Sequence, residues 1–318
     1  MLGRNWHWSK QVFACFLPAY PLAHLLYNAY REESPISWIY IKRLEYPVPD
    51  HLADLVESEI ENVDGLPKAD VAICTSNERL AFQLKVSLTD KMDAHAYGGF
   101  YLRPAVELQL PLRAAVKDLE EATRLGAIIE ISTGISSSRR KTNINSKFGE
   151  KLLTEFIISD KAKRFIIQRE LQRANSGKAF CMPIFIWMTT VGMSFVFLNI
   201  ATQIVGPVVA FCLSTVIVFT AFQTFYHHFS VVLEQKLDIE TCKKSDVYVQ
   251  GGLDFLRSTM RLNRYLRSTI DRDEASKCIA ENGDRIADKL PYSKRLRKIE
   301  DFIRERNFVL KSDLDVDD

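Results

Sequence analysis

Two short charged motifs stand at the two ends of a long uncharged run. Before it, Arg169-Glu170-Leu171-Gln172-Arg173 sets two guanidinium groups four residues apart, the spacing that puts both on one face of a helix. After it, Glu234-Gln235-Lys236-Leu237-Asp238 does the same with two carboxylates. A guanidinium fork binds carboxylates in pairs, so the expectation is that Glu234 and Asp238 pair with Arg169 or Arg173 and tie together the blocks on either side of the run. Ordinary solvated helix charges are the alternative. Zinc needs neutral imidazole or anionic ligands, and two guanidinium groups would repel it. No metal and no cofactor are therefore expected. Other chemistry is absent from the pattern: there is no GxGxxG, P-loop, GxSxG or HExxH, and none of the six histidines is spaced i, i+4. His227-His228 reads as an amphipathic pair at a membrane interface. Cys15, Cys74, Cys181, Cys212, Cys242 and Cys278 lie far apart without a CxxC, and read as scattered small hydrophobes.

The element that separates the motifs is the run itself. Residues 179–233 contain no Asp, Glu, Lys or Arg in a chain that is 26% charged. Gly206-Pro207 divides it into apolar halves, 180–200 and 205–225, each close to the roughly 20 residues that cross a bilayer as a helix. This predicts a transmembrane hairpin over 179–226 with its turn at 201–207. Residues 1–30 are acid-free, with Arg4, Lys10 and an uncharged stretch from Gln11. They are read as a targeting segment and first transmembrane helix, with an interfacial or cleaved leader as the competing reading. The fold class is a mainly α integral membrane protein with a small β-sheet in its middle block. Residues 31–178 form a soluble α+β block ending in a long helix, and 227–318 form a C-terminal helical block with an acidic tail.

Within the middle block, Asp50 is expected to cap a helix over 51–62, stopped by Gly65-Leu66-Pro67. Residues 69–75, 80–88, 105–110 and 127–132 read as strands, with Gly98 to Leu102 a turn leading into one of them. Pro111 opens a helix that runs to Arg124 and stops at Gly126, and 134–145 is an exposed loop. One amphipathic helix is expected over 146–175. Past the hairpin, helix continues to about Cys242, Gly251-Gly252 introduces another over 253–270, Leu290-Pro291-Tyr292 marks a surface turn, and a last helix covers 294–306. The net charge of +2 and the lack of a basic stripe set nucleic acid aside.

Two resemblances follow from these motifs. The order of Arg169-Glu170-Leu171-Gln172-Arg173, hairpin, then Glu234 and Asp238 resembles membrane zinc peptidases of the HtpX and CAAX-prenyl-protease type, which carry HExxH before a hairpin and ExxxD after it. Asp93 to Gly99 is loosely similar to the strand approach of those enzymes. That resemblance implies a frame whose zinc site is gone, with Arg169, Glu170, Arg173, Glu234 and Asp238 left as an ion cluster. The second resemblance spans most of the chain. Tyr20 to Leu25, Gly99-Phe100 leading to Leu110-Pro111, the helix 162–170, Gly251-Gly252 with Asp254-Phe255, and Leu290-Pro291-Tyr292 are similar, in matching order, to the transmembrane protein 177 family of the mitochondrial inner membrane.

This second resemblance implies a non-enzymatic, multi-pass assembly factor. It would act in cytochrome c oxidase biogenesis with the chaperones that stabilise newly made subunit 2, and take no small-molecule substrate. Besides the lipid bilayer, partners could be met by Gly206, Ala210 and Ser214, which recur every four residues along one helix face. That face could equally pack on the hairpin's own first helix. A membrane peptidase and a carrier or channel are the rival classes; the arginines oppose the first, and the lack of intramembrane charge opposes the second. Six basic groups and one acid in residues 161–178 favour the matrix for the soluble blocks, whereas a basic N-terminus held in the matrix favours the intermembrane space. The second placement is preferred, because the first helix usually dominates.

Overall fold

The structure is a computed structural model that describes residues 8–28, 47–64, 72–74, 83–89, 91–102, 106–128, 147–268 and 272–314. The loop expected at 134–145, the stop at 65–67, residues 1–7 and the last residues of the acidic tail lie outside the described residues.

Two apolar clusters organise the described residues. One lies in the hairpin, where α8 (Lys178–Val205) and α9 (Pro207–Lys244) run antiparallel. Both are long and apolar enough to cross a membrane. The turn is tighter than the sequence suggests. Helix persists to Val205, and Gly206 alone reverses the chain at φ +84, ψ 165, a region open essentially to glycine, before Pro207 starts α9. Against the hairpin pack α1 (Trp8–Ala14) and α2 (Phe16–Asn28). Phe13 is fully buried among Trp187, Val191, Leu198 and Ala210, Trp187 Nε1 donates to the Phe16 carbonyl at 2.8 Å, and Tyr20 packs on Trp187 and Phe222.

The second cluster is the core of the two blocks flanking the hairpin. A four-stranded sheet has the order β1-β2-β4-β3, where β1 is Ala72–Cys74, β2 Gln83–Thr89, β3 His95–Tyr97 and β4 Val106–Pro111. β1 and β4 pair parallel with β2, and β3 closes the edge antiparallel to β4. Leu84, Val86, Leu88, Leu108 and Leu110 from this sheet meet α3 (Asp50–Ile60) and α7 (Asp160–Ser176) in one core. From the other side of the hairpin come α10 (Asp246–Arg267), the short α11 (Arg272–Cys278) and α12 (Tyr292–Leu314), which complete it. α7 and α10 approach so closely that a Cβ on Gly251 would stand 2.1 Å from the Lys161 carbonyl oxygen.

Several local expectations are corrected. The helix expected over 146–175 is two, α6 (Lys147–Phe156) and α7, because Ser159 adopts extended backbone and its hydroxyl accepts from the Ala162 amide as a cap. The helix expected from Pro111 to Arg124 is likewise split into α4 (Leu112–Ala115) and α5 (Leu119–Ile128), with Asp118 accepting from the Glu121 amide. Gly126 does not stop α5, and residues 127–128 are helical where a strand was expected; residues 129–132 lie outside the described residues. Pro49, not Asp50, is the N-cap of α3. Gly251-Gly252 lie inside α10 rather than before it, where they serve close helix packing. Leu290 and Tyr292 are buried, so that turn is not a surface one.

Candidate functional site

The site is assembled at the junction of the two apolar clusters by helices that pass through it unbroken. α9 has 38 residues, about 57 Å at 1.5 Å per residue, so the hairpin's second helix carries Glu234 and Asp238 rigidly into the core of the flanking blocks. α7 joins α8 through Gly177 alone, in the left-handed region at φ +64. The Tyr101 ring lies over both Gly177 and Gly99, where any Cβ would meet it at 2.7 Å.

Arg169 and Arg173 on α7 and the carboxylates on α9 come together. Arg169 Nε donates to Asp238 Oδ1 at 2.7 Å, its Nη1 to Glu170 Oε1 at 2.5 Å and its Nη2 to Glu234. Arg173 Nε donates to Glu170 Oε2 at 2.7 Å, and its Nη2 straddles the Glu234 carboxylate at 2.7 and 2.8 Å. Sequence reading missed a third cation. Arg295 on α12 grips Asp238 with Nε at 2.8 Å and Nη2 at 2.9 Å, and its Nη1 lies 3.6 Å from Asp93. Tyr292, one turn earlier on α12, donates to Asp93 at 3.0 Å. The Ala96 amide of edge strand β3 donates to Glu170 Oε2 at 2.9 Å. Nothing in the spacing of Arg295 betrays its role, since 57 residues separate it from Asp238.

Three guanidinium groups thus face Glu170, Glu234 and Asp238, with Asp93 a fourth carboxylate at the edge of the cluster. Arg169, Arg173 and Asp238 are at most 5% exposed and Glu170 is fully buried. Burial alone would raise the carboxyl pKa values, but the Arg173 and Arg169 charges hold Glu170 below its ordinary range, and the same two arginines hold Glu234 there. Burial by itself would lower Arg169, yet Glu234, Asp238 and Glu170 raise it. His95, on β3 beside this cluster, is pushed down to about 4 by burial and by Arg173, so its imidazole is neutral.

Chemically the arrangement is closed. Every carboxylate here already accepts from a guanidinium, and among the described residues no three His, Cys, Asp or Glu side chains are placed to hold a metal ion. The thiol of Cys242, one turn past Asp238 on α9, is buried and pushed up to about 12, first by burial and then by Asp238, which disfavours its thiolate. Beside the cluster opens a cavity of about 680 Å³ between β3, α2, the first turn of α8, residues 226–234 of α9, and the turn before α12.

The small-residue face is placed elsewhere. Gly206 forms the hairpin turn, with open space around it. Ala210 and Ser214 are fully buried in the chain's own bundle with Phe13, Trp187 and Leu198. Their face is taken internally and is not offered to a partner.

A family model described as Transmembrane protein 177 matches residues 6–317. No curated protein and no solved structure matches the chain. The match takes in the hairpin, both flanking blocks, the Gly251-Gly252 contact and the turn before α12, and on that extent the chain belongs to the transmembrane protein 177 family.

Proposed function

We propose that this chain is a non-enzymatic assembly factor of the mitochondrial inner membrane, which crosses the bilayer with α1–α2 and the hairpin and supports biogenesis of cytochrome c oxidase subunit 2 by stabilising its chaperone complex. The observation that carries this reading is the closed ion cluster. Arg169 and Arg173 occupy the face of α7 where a hydrolytic metal would need ligands, and they lock α9 to the flanking blocks instead. The result is a rigid frame bearing a wide lipid-facing apolar surface, with Phe185, Met193, Ile204 and Val216 each at least 60% exposed. A frame of this kind suits holding other membrane proteins.

Glu170 beside an edge-strand amide, between two ligand-spaced positions, fits a peptidase-like frame that has exchanged its metal for guanidinium groups. The flanking blocks face the intermembrane space; of the six basic groups in 161–178, Lys163, Arg169 and Arg173 are buried with partners, which weakens the opposing signal. Affinity isolation of the tagged chain from gently solubilised mitochondria tests the proposal. Subunit 2 and its assembly chaperones should be recovered with it; their consistent absence would remove the assembly role.

A further inference from the structure

The cavity beside the ion cluster has walls of two kinds. On α9 one stripe of residues, Tyr226, Phe229, Ser230, Leu233 and Glu234, lines it, passing from aromatic to charged over eight residues, about 12 Å. That change is on the scale of the polar layer of a bilayer leaflet, which is about 5–8 Å deep. At 680 Å³ the space is large enough for a small polar ligand.

Its rim offers charges of both signs that form no ion pair among the described residues. Lys289 Nζ lies 4.5 Å over the Tyr226 ring, and Lys91 Nζ donates to Tyr97 OH at 3.4 Å; among the described residues neither lysine has a carboxylate within ion-pair distance. Asp288 faces the same space, and its carboxylate makes no hydrogen bond or ion pair among the described residues, although Arg285 and Arg295 lie within electrostatic reach. Burial and the neighbouring Asp93 push the Asp288 carboxyl up to about 6, outweighing the opposing pull of Arg285 and Arg295. An extended peptide fits less well. β3 is short, and its Ala96 amide is already taken by Glu170.

We propose that this cavity receives the headgroup of a phospholipid bearing both a phosphate and a primary ammonium, with Lys91 and Lys289 holding the phosphate, Asp288 taking the ammonium, and the acyl chains leaving along Tyr226 and Phe229. The cation pair answers a phosphodiester as point charges, and the carboxylate selects an ammonium that can still donate hydrogen bonds over a quaternary one. The assignment rests on the hairpin lying in a membrane.

The test uses the full chain, delipidated in a mild detergent, with native mass spectrometry reading retained lipid. Dioleoyl phosphatidylethanolamine should bind at least fivefold more tightly than the matching phosphatidylcholine or phosphatidylglycerol. Asp288→Asn should erase the preference over phosphatidylglycerol, and Lys91→Ala with Lys289→Ala should weaken retention at least fivefold; these rim side chains lie outside the ion cluster, and unchanged circular dichroism checks the fold. Glycerophosphoethanolamine, which lacks acyl chains, should compete poorly; competition as strong as the lipid's would overturn a lipid occupant. Equal binding of all three lipids by a chain that resists carbonate extraction would overturn the headgroup site and leave the membrane reading standing. Release of the chain by carbonate would overturn both.

Discussion

Replacing Arg169 with methionine isolates the energetic role of the cluster. Methionine keeps much of the apolar stem and removes the guanidinium, so three carboxylates would face only Arg173 and Arg295. Removing one partner of a buried ion pair typically costs about 3–5 kcal/mol, because the other charge is stranded. Here the stranding is partial. Asp238 retains both bonds from Arg295, and Glu170 retains Arg173 and the Ala96 amide, which places the expected cost near the lower end, about 3 kcal/mol. For a chain of 318 residues, with an unfolding entropy of about 2.1 cal/mol/K per residue, that corresponds to a fall of about 4–5 °C in the melting temperature. The assay is thermal unfolding of the detergent-solubilised chain, repeated for Asp238→Leu and for the double variant. The single costs should fail to add by more than about 1 kcal/mol, since the two groups share a bond. A shift below about 2 °C, or strict additivity, would mean that these are solvated charges and would refute the idea that they join α7 to α9.

Three further outcomes test other parts of the account. Gly251→Ala, which on an open helix would stabilise by about 1 kcal/mol, should instead destabilise by about 2 kcal/mol, because its Cβ would collide with backbone atoms of Lys161; a stabilised variant would contradict the close α7–α10 packing. Ala210→Leu should cost about 1–3 kcal/mol through overpacking against α8 and α1, whereas Gly192→Ala, with nothing within 4 Å of its Cβ, should be neutral or stabilising; thermal unfolding of the pair reads both. The pKa values of Glu170 and Glu234 are depressed in the folded chain, so their stabilisation is fully present above the unfolded carboxylate pKa of about 4.3 and is lost as pH falls below it. Melting temperature should therefore be insensitive to these groups from pH 7 to about 5 and fall below that; a flat profile down to pH 3 would contradict it.

The hairpin is legible in the sequence because a charge-free run of its length has few other uses, and the period of four in each flanking motif shows which residues share a helix face. The partners across that face were harder to find. Arg295 and the Ala96 amide reach the cluster through tertiary folding alone, and one is a side chain without a motif while the other is a backbone group. Helix ends were misjudged where capping decides them. Ser159 and Asp118 sit inside amphipathic stretches whose apolar period runs on past the break, so periodicity alone merges two helices into one. Gly251-Gly252 misled in the opposite sense: a glycine pair reads as a boundary locally, yet here it marks where two helix backbones nearly touch. The spacing of Gly206, Ala210 and Ser214 leaves open a partner or the hairpin's own first helix; the structure buries Ala210 and Ser214 within the chain's own bundle, with Ala210 in one cluster with Phe13 and Trp187.

In the proposed role the chain protects a membrane partner rather than cutting one. The most direct measurement is the lifetime of pulse-labelled cytochrome c oxidase subunit 2 in mitochondria from cells lacking this chain, compared with cells in which it is restored. The account predicts faster loss of newly made subunit 2 without the chain and recovery on its return. An unchanged lifetime, or a longer one as expected on removing a peptidase, would contradict it.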